Sequence, residues 1–227
     1  MVFVRILKCY TVSYIGSTEK EIHSMFGGVA LVPEKDTMKA FISLREKYEE
    51  YFISPSLGNE ENLPHMTLFQ SYFDHDIDYH QVLRDLSQHS SENIKNMKIH
   101  HVGHVPKGWI FSYVHNNDDL QDLHCKSFEI LRDHILDEEI PREIDFTGFN
   151  ENEKHYHLQY GYKYLFEQYR PHITIGVSCD DYISTLHAIQ EEYNTVFLDK
   201  NIMFDRMVLY EAGLFGTCKK VIDEIKL

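Results

Sequence analysis

Two short segments of this chain carry one pattern, Pro-His-apolar-Thr-apolar. They are Pro64-His65-Met66-Thr67-Leu68 and, more than a hundred residues later, Pro171-His172-Ile173-Thr174-Ile175. With fifteen His and six Pro in 227 residues, chance supplies only about 0.003 copies, so the repeat is a constraint and not an accident. Apolar residues alternating with His and Thr have the period of a strand buried on one face. Met66 and Leu68 in the first copy, and Ile173, Ile175 and Val177 in the second, then face a core. His65 with Thr67, and His172 with Thr174, project together from the other face. The leading proline suits a strand start, where its missing N–H costs no ladder bond. Each copy thus offers an imidazole and a hydroxyl roughly 7 Å apart on one surface.

The rest of the chain organises around these two strands. Met1–Ile15 has strand chemistry and ends at Gly16-Ser17. Gly27–Pro33 is a short apolar strand, followed by helical spacing of Met38, Phe41, Ile42, Tyr48 and Phe52. An amphipathic stretch covers Tyr79–Gln88, with strands at Met97–Val105 and Gly108–Val114. Asn117 or Asp118 can cap a helix whose face is Leu120, Leu123, Ser127, Leu131 and Ile135. A polar connector (Asp137–Lys154) leads to a tyrosine-rich run and the second motif. Asp180 or Asp181 opens a further helix, and Met203–Glu211 and Lys219–Leu227 close the chain as two strands. Strand, helix and motif strand recur in similar order in each half, which predicts an α+β duplication.

Composition narrows the partners. Twenty-two basic against 36 acidic residues leave a net charge of −14, a field that disfavours long duplex nucleic acid and favours small nucleotides or RNA ends. Cys9, Cys125, Cys179 and Cys218 are scattered with no CxxC pair, as in a reducing, cytoplasmic setting. No apolar run is long enough to span a membrane, and Met1–Ile15 lacks a signal-peptide cleavage pattern.

If the two motif strands face each other across a groove, two imidazoles converge between two hydroxyls. An unperturbed imidazole titrates near ~6.5, so one ring can be neutral and the other protonated near pH 7. That pair suits phosphodiester chemistry: one His takes a proton from water or a ribose hydroxyl, the other protonates the leaving oxygen. Thr67 and Thr174 can donate to the non-bridging oxygens, where charge grows in the transition state. The scheme requires no metal and no cofactor.

The His65-x-Thr67 and His172-x-Thr174 pair resembles the signature of the two-histidine (2H) phosphoesterase superfamily, which includes RNA 2′,3′-cyclic phosphodiesterases once called 2′-5′ RNA ligases. The resemblance spans most of Gly27–Leu227, including Pro33, the Trp109–Val114 strand, Leu120-x-x-Leu123-His124 and Leu209-Tyr210-Glu211. It implies a bilobal, pseudo-twofold α+β fold over residues 1–227, with duplicated antiparallel sheets, outer helices and a central groove. Residues 1–26 would be an N-terminal extension and residues 137–164 an inserted connector. By the same resemblance His65 and His172 are catalytic, Thr67 and Thr174 bind the phosphate, and the active site is metal-independent. The run Tyr160-Gly161-Tyr162-Lys163-Tyr164 before Tyr169-Arg170-Pro171-His172 is similar to a branch found with bacterial phosphonate metabolism. The expectation is a monomeric hydrolase acting on a 2′,3′-cyclic phosphate or 2′,5′-phosphodiester. Two alternatives stand beside it: a binding protein that senses a nucleotide or phosphometabolite without turnover, and a phosphonate-pathway cyclic phosphodiesterase.

Other residues admit two readings. His100, His101 and His104, with His155 and His157, could gather a metal, but no partner spacing supports one. Tyr160, Tyr162, Tyr164 and Tyr169 could stack a base or simply half-bury a strand or loop. Arg170 could reach a phosphate or pair with a carboxylate. Glu34–Glu50 is a solvated helix face.

Overall fold

A computed structural model describes residues 24–74, 76–179 and 182–227. The expected strand at Met1–Ile15 and the helix start at Asp180 or Asp181 lie outside them. The described residues form an α+β fold of one seven-stranded antiparallel sheet and six α-helices. In chain order these are β1 (Ser24–Pro33), α1 (Lys35–Lys47), β2 (Met66–Asp74), α2 (Tyr79–Ser87), α3 (Glu92–Lys95), β3 (Asn96–Val105) and β4 (Trp109–Val114). Then come α4 (Asp118–Leu131), α5 (Glu151–Tyr160), β5 (His172–Val177), α6 (Tyr182–Val196), β6 (Asn201–Ala212) and β7 (Cys218–Lys226).

The spatial strand order is β1-β2-β5-β4-β3-β6-β7, and β6 also pairs with β1. Two separate sheets were expected; the strands instead join into one. Backbone pairing of Met66 with Ile173 links β2 to β5, and β6 reaches β3 through Asn201–Met203 and β1 through Phe204–Glu211. Both motif strands sit at the centre of the sheet.

The period-2 reading of the motifs holds. Met66, Leu68, Ile173, Ile175 and Val177 are buried in the core, while Thr67, His172 and Thr174 are half-buried. Helices cover the apolar face. Leu83 and Leu86 of α2 and Leu120, Leu123 and Phe128 of α4 join the core cluster, as do Phe41 of α1 and Ile189 and Tyr193 of α6. Phe41 stacks on Phe197 with ring centroids 4.2 Å apart. Asn117 does cap α4: its side-chain oxygen accepts from Leu120 N at 2.8 Å, which satisfies a donor the first helical turn leaves free. Ile135, expected on that helix, lies past its end and bridges Phe73 instead. Likewise α1 stops at Lys47, and Phe52 leaves the helical face to bridge Ser178.

The connector contains a helix that periodicity does not announce. α5 carries no consistent apolar face, yet it has a full capping box. Asn150 accepts from Glu153 N at 2.8 Å, and the Glu153 carboxylate accepts from Asn150 N at 2.9 Å. Gly161 ends it in a left-handed turn at φ 72°, a conformation without penalty for glycine.

Gly28 lies where β1 is squeezed between neighbours. A Cβ there would sit 2.2 Å from the carbonyl oxygen of Phe69 and 2.7 Å from Gln70 Cβ. Gly28→Ala should therefore push β1 off the motif strand β2 and destabilise the fold by about 1–3 kcal/mol. The urea midpoint would fall accordingly; an unchanged midpoint would show that the strands separate freely.

Candidate active site

The paired residues Met66 and Ile173 are the central apolar positions of the two motifs. Antiparallel continuation from that rung sets His65 against Thr174 and Thr67 against His172. All four side chains line one cavity of about 290 Å³, near the lower end of the ~300–1,000 Å³ that small-molecule pockets occupy. The two imidazoles therefore line the same cavity.

Each histidine is held in the same way. His65 Nδ1 donates to the carbonyl of Leu63 at 2.8 Å, and His172 Nδ1 donates to the carbonyl of Arg170 at 2.6 Å. In both motifs the acceptor is the carbonyl two residues back. A carbonyl can only accept, so Nδ1 carries the proton and Nε2 is the nitrogen left for chemistry. Leu63 is itself fixed, since its N–H donates to Cys218 O on β7 at 3.2 Å. The rings are also packed: Phe111 stacks on His172 at 3.9 Å and Tyr210 lies 5.0 Å from His65.

Burial sets their charge. His65 is 7% exposed, and desolvation lowers its pKa from 6.5 to about 4 against the opposing effect of its carbonyl bond. His172 is likewise lowered to about 4, first by burial and then by the nearby charges of His65, Lys163 and Arg170. The expectation of one neutral and one protonated ring near pH 7 is thus corrected. Burial favours the neutral form of each ring, and no carboxylate lines the cavity to hold a proton.

The two threonines are not equivalent. Tyr210 Oη donates to Gln70 Oε1 at 3.0 Å, so Thr67 Oγ1 donates to Tyr210 Oη at 3.2 Å. The Thr174 hydroxyl has no hydrogen-bond partner among the described residues and can meet a ligand.

The connector supplies a wall of this cavity through Phe149, Tyr162, Lys163 and Tyr164, with Trp109 and Phe111 contributed by β4. Tyr162 and Tyr164, read from sequence as either stacking or structural, are buried but reach the cavity. Tyr169 is structural: it stacks on His124 at 4.0 Å and its hydroxyl donates to Thr67 O at 3.2 Å. Arg170 does not line the cavity; it pairs with Glu153 at 3.5 Å. The histidine clusters resolve as ring packing. His100 lies 4.5 Å from both His101 and His115, His104 packs on Tyr182, and among the described residues no three metal-ligating side chains converge.

Sequence reasoning missed Lys163, Gln70, Tyr210, Trp109 and Phe111. Lys163 is half-buried, its ammonium 4.2 Å from the Phe149 ring centre and 4.6 Å from that of Tyr164. No carboxylate stands within ion-pair distance among the described residues. Desolvation, eased by the more distant Glu153, lowers its pKa to about 8. Cation–π contacts contribute about 0.5–2 kcal/mol each, while taking an ion out of water costs several. The aromatic faces do not offset that cost. Lys107, the other cavity lysine, is neutralised by Asp145 at 3.1 Å. In a chain with 36 acidic residues, no described residue lining the cavity is a carboxylate.

Residues 78–212 match the family model described as protein of unknown function (DUF1045). That is more than half of the chain. The protein belongs to this family. The matched stretch includes the second motif, the connector wall and Tyr210, whereas His65 and Thr67 precede it. No curated protein matches the chain significantly. Among the described residues no helix is long and apolar enough to cross a membrane.

Proposed function

We propose that this member of the DUF1045 family is a phosphodiesterase of the two-histidine type, acting on a 2′,3′-cyclic phosphate or a 2′,5′-phosphodiester of a small nucleotide or RNA end. The observation that carries the reading is the convergence of His65, Thr67, His172 and Thr174 on one cavity with no carboxylate in its lining. The strand neighbourhood β1-β2-β5-β4 supports a pseudo-twofold relation between the motifs, since each motif strand is flanked by the strand that precedes it in its own half. This is the arrangement that the 2H resemblance implies.

A phosphodiester entering the cavity brings one negative charge to two neutral rings. That charge raises the imidazole pKa values, and one ring takes up a proton from solvent. The neutral ring then accepts a proton from water at Nε2 as the water oxygen bonds to phosphorus. The protonated ring gives its Nε2 proton to the ester oxygen as the P–O bond breaks, so charge and protons balance. The Thr174 hydroxyl donates to a non-bridging oxygen at once, and Thr67 does so by turning from Tyr210.

The test is to incubate the purified protein with 2′,3′-cyclic nucleotides and 2′,5′-linked dinucleotides, with and without chelator, and to identify products by phosphorus NMR. Chelator-resistant hydrolysis to a monoester or nucleotide is expected. Tight binding with ligand recovered intact would overturn the enzyme reading in favour of a binding protein. Loss of turnover in chelator would overturn the metal-independent mechanism.

A further inference from the structure

Lys163 stands apart from the histidine–threonine quartet in origin and in partners. It comes from the connector, not from a motif strand, and its electrostatic neighbours are Glu153, Arg170 and Lys107. His157, on α5 of the same connector, also lines the cavity and feels the Lys163 charge. Glu153, the one carboxylate in this group, is 3% exposed and already committed: it caps α5 and pairs with Arg170. Lys107 is committed to Asp145. The connector wall therefore presents one cation, held between two aromatic faces and lacking a counter-ion among the described residues. The reacting phosphodiester carries a single charge, and two hydroxyls and two imidazoles already await it.

We propose that Lys163 forms a second anion subsite, which receives a terminal phosphate on the same small molecule whose cyclic phosphodiester reacts at His65 and His172. The substrate class is then a phosphorylated cyclic-phosphate sugar or nucleotide, not an unmodified RNA end, in which the terminal phosphate is absent. The proposal rests on the phosphodiesterase reading for the reaction but not for the binding. A half-buried ammonium beside aromatic rings, with no carboxylate to neutralise it, recovers its lost hydration when an anion arrives. Trp109, Phe111 and Phe149 line the same cavity and offer apolar surface to the sugar or base.

The experiment compares adenosine 2′,3′-cyclic phosphate with its 5′-phosphorylated counterpart, in the wild-type protein and in Lys163→Gln and Lys163→Arg. Affinity is measured by titration calorimetry and turnover by product analysis. The wild type should favour the 5′-phosphorylated ligand by about ten- to a hundredfold, the range of one charge-assisted hydrogen bond. In Lys163→Gln that ratio should collapse to about one, and Lys163→Arg should restore much of it. A wild-type ratio near one, or a ratio unmoved by Lys163→Gln, overturns the subsite. If neither compound is turned over but the calorimetric ratio behaves as stated, the subsite stands and the phosphodiesterase reading falls. Circular dichroism of both variants separates loss of the subsite from loss of the fold.

Discussion

Replacing His172 with alanine is expected to lower kcat by about 10²–10⁴-fold, the usual worth of one general acid or base, with His65→Ala falling in the same range. The double variant should be little worse than either single one, because the two rings act as a unit and one without the other completes only half the proton transfer. The pH profile is the sharper test. Burial lowers both rings from 6.5 to about 4. The profile of kcat/KM, which reports the free protein, should therefore be centred at low pH, with its alkaline limb set by loss of the one proton the acid needs. Bound phosphodiester raises those pKa values, so the alkaline limb of kcat should lie at higher pH than that of kcat/KM. Coincident limbs would mean that the bound anion does not touch the imidazoles. Single variants that keep a bell-shaped profile and near wild-type kcat would remove both histidines from the chemistry.

Acid should unfold this protein earlier than its carboxylates alone would suggest. His124 is fully buried with both ring nitrogens engaged: Nδ1 donates to Leu68 O at 2.6 Å, and Nε2 accepts from Phe166 N at 3.0 Å. A second proton on this ring would confront the Phe166 N–H, and burial lowers its pKa from 6.5 to about 4. The unfolded chain binds that proton below about 6.5 and the folded one only near 4. The stability contributed by the neutral ring is complete above about pH 6.5 and is lost as pH falls towards 4. For His124 the loss is roughly 3 kcal/mol. His65 adds a comparable share, and half-buried His172 a smaller one. Urea denaturation between pH 7.5 and 4 should show a steep decline, less steep in His124→Gln. That variant will be weaker at neutral pH because Gln cannot match the spacing of both ring nitrogens. A flat midpoint across this window would show that the buried rings take up protons without cost.

What the sequence disclosed follows from how regular each element is. The motif strands were legible because their alternation is strict and one face is wholly apolar. β1 was legible as an unbroken apolar run closed by Pro33, α2 and α4 by their helical apolar faces, and Asn117 announced the start of α4. The meeting of the two motifs was inferable only from their identity, since the rung joining Met66 to Ile173 leaves no local trace. α5 was hidden, because Glu151–Tyr160 has no apolar stripe; the Asn150-x-x-Glu153 capping box followed by Gly161 was the available signal. Lys163 was hidden in a different way. A lysine between two tyrosines looks like a solvated loop residue, and only the fold shows that both tyrosines are buried and the cavity lies beside it. The histidine charges were misjudged because an imidazole's pKa depends on its burial, which strand parity does not measure.

The joining of β6 to β1 has a consequence for how the site comes into being. β1 begins at Ser24 and takes its partner from a strand that starts at Asn201, so one of the sheet's central seams spans nearly the whole described chain. Such distant pairings form late, after the entropy of closing the long loop has been overcome. Tyr210, which anchors Thr67 and packs on His65, arrives with that same strand. The first motif is synthesised well before β6, but it acquires its packed form only when β6 docks. A nascent or truncated chain ending before β6 would carry both histidines and yet have no assembled pocket.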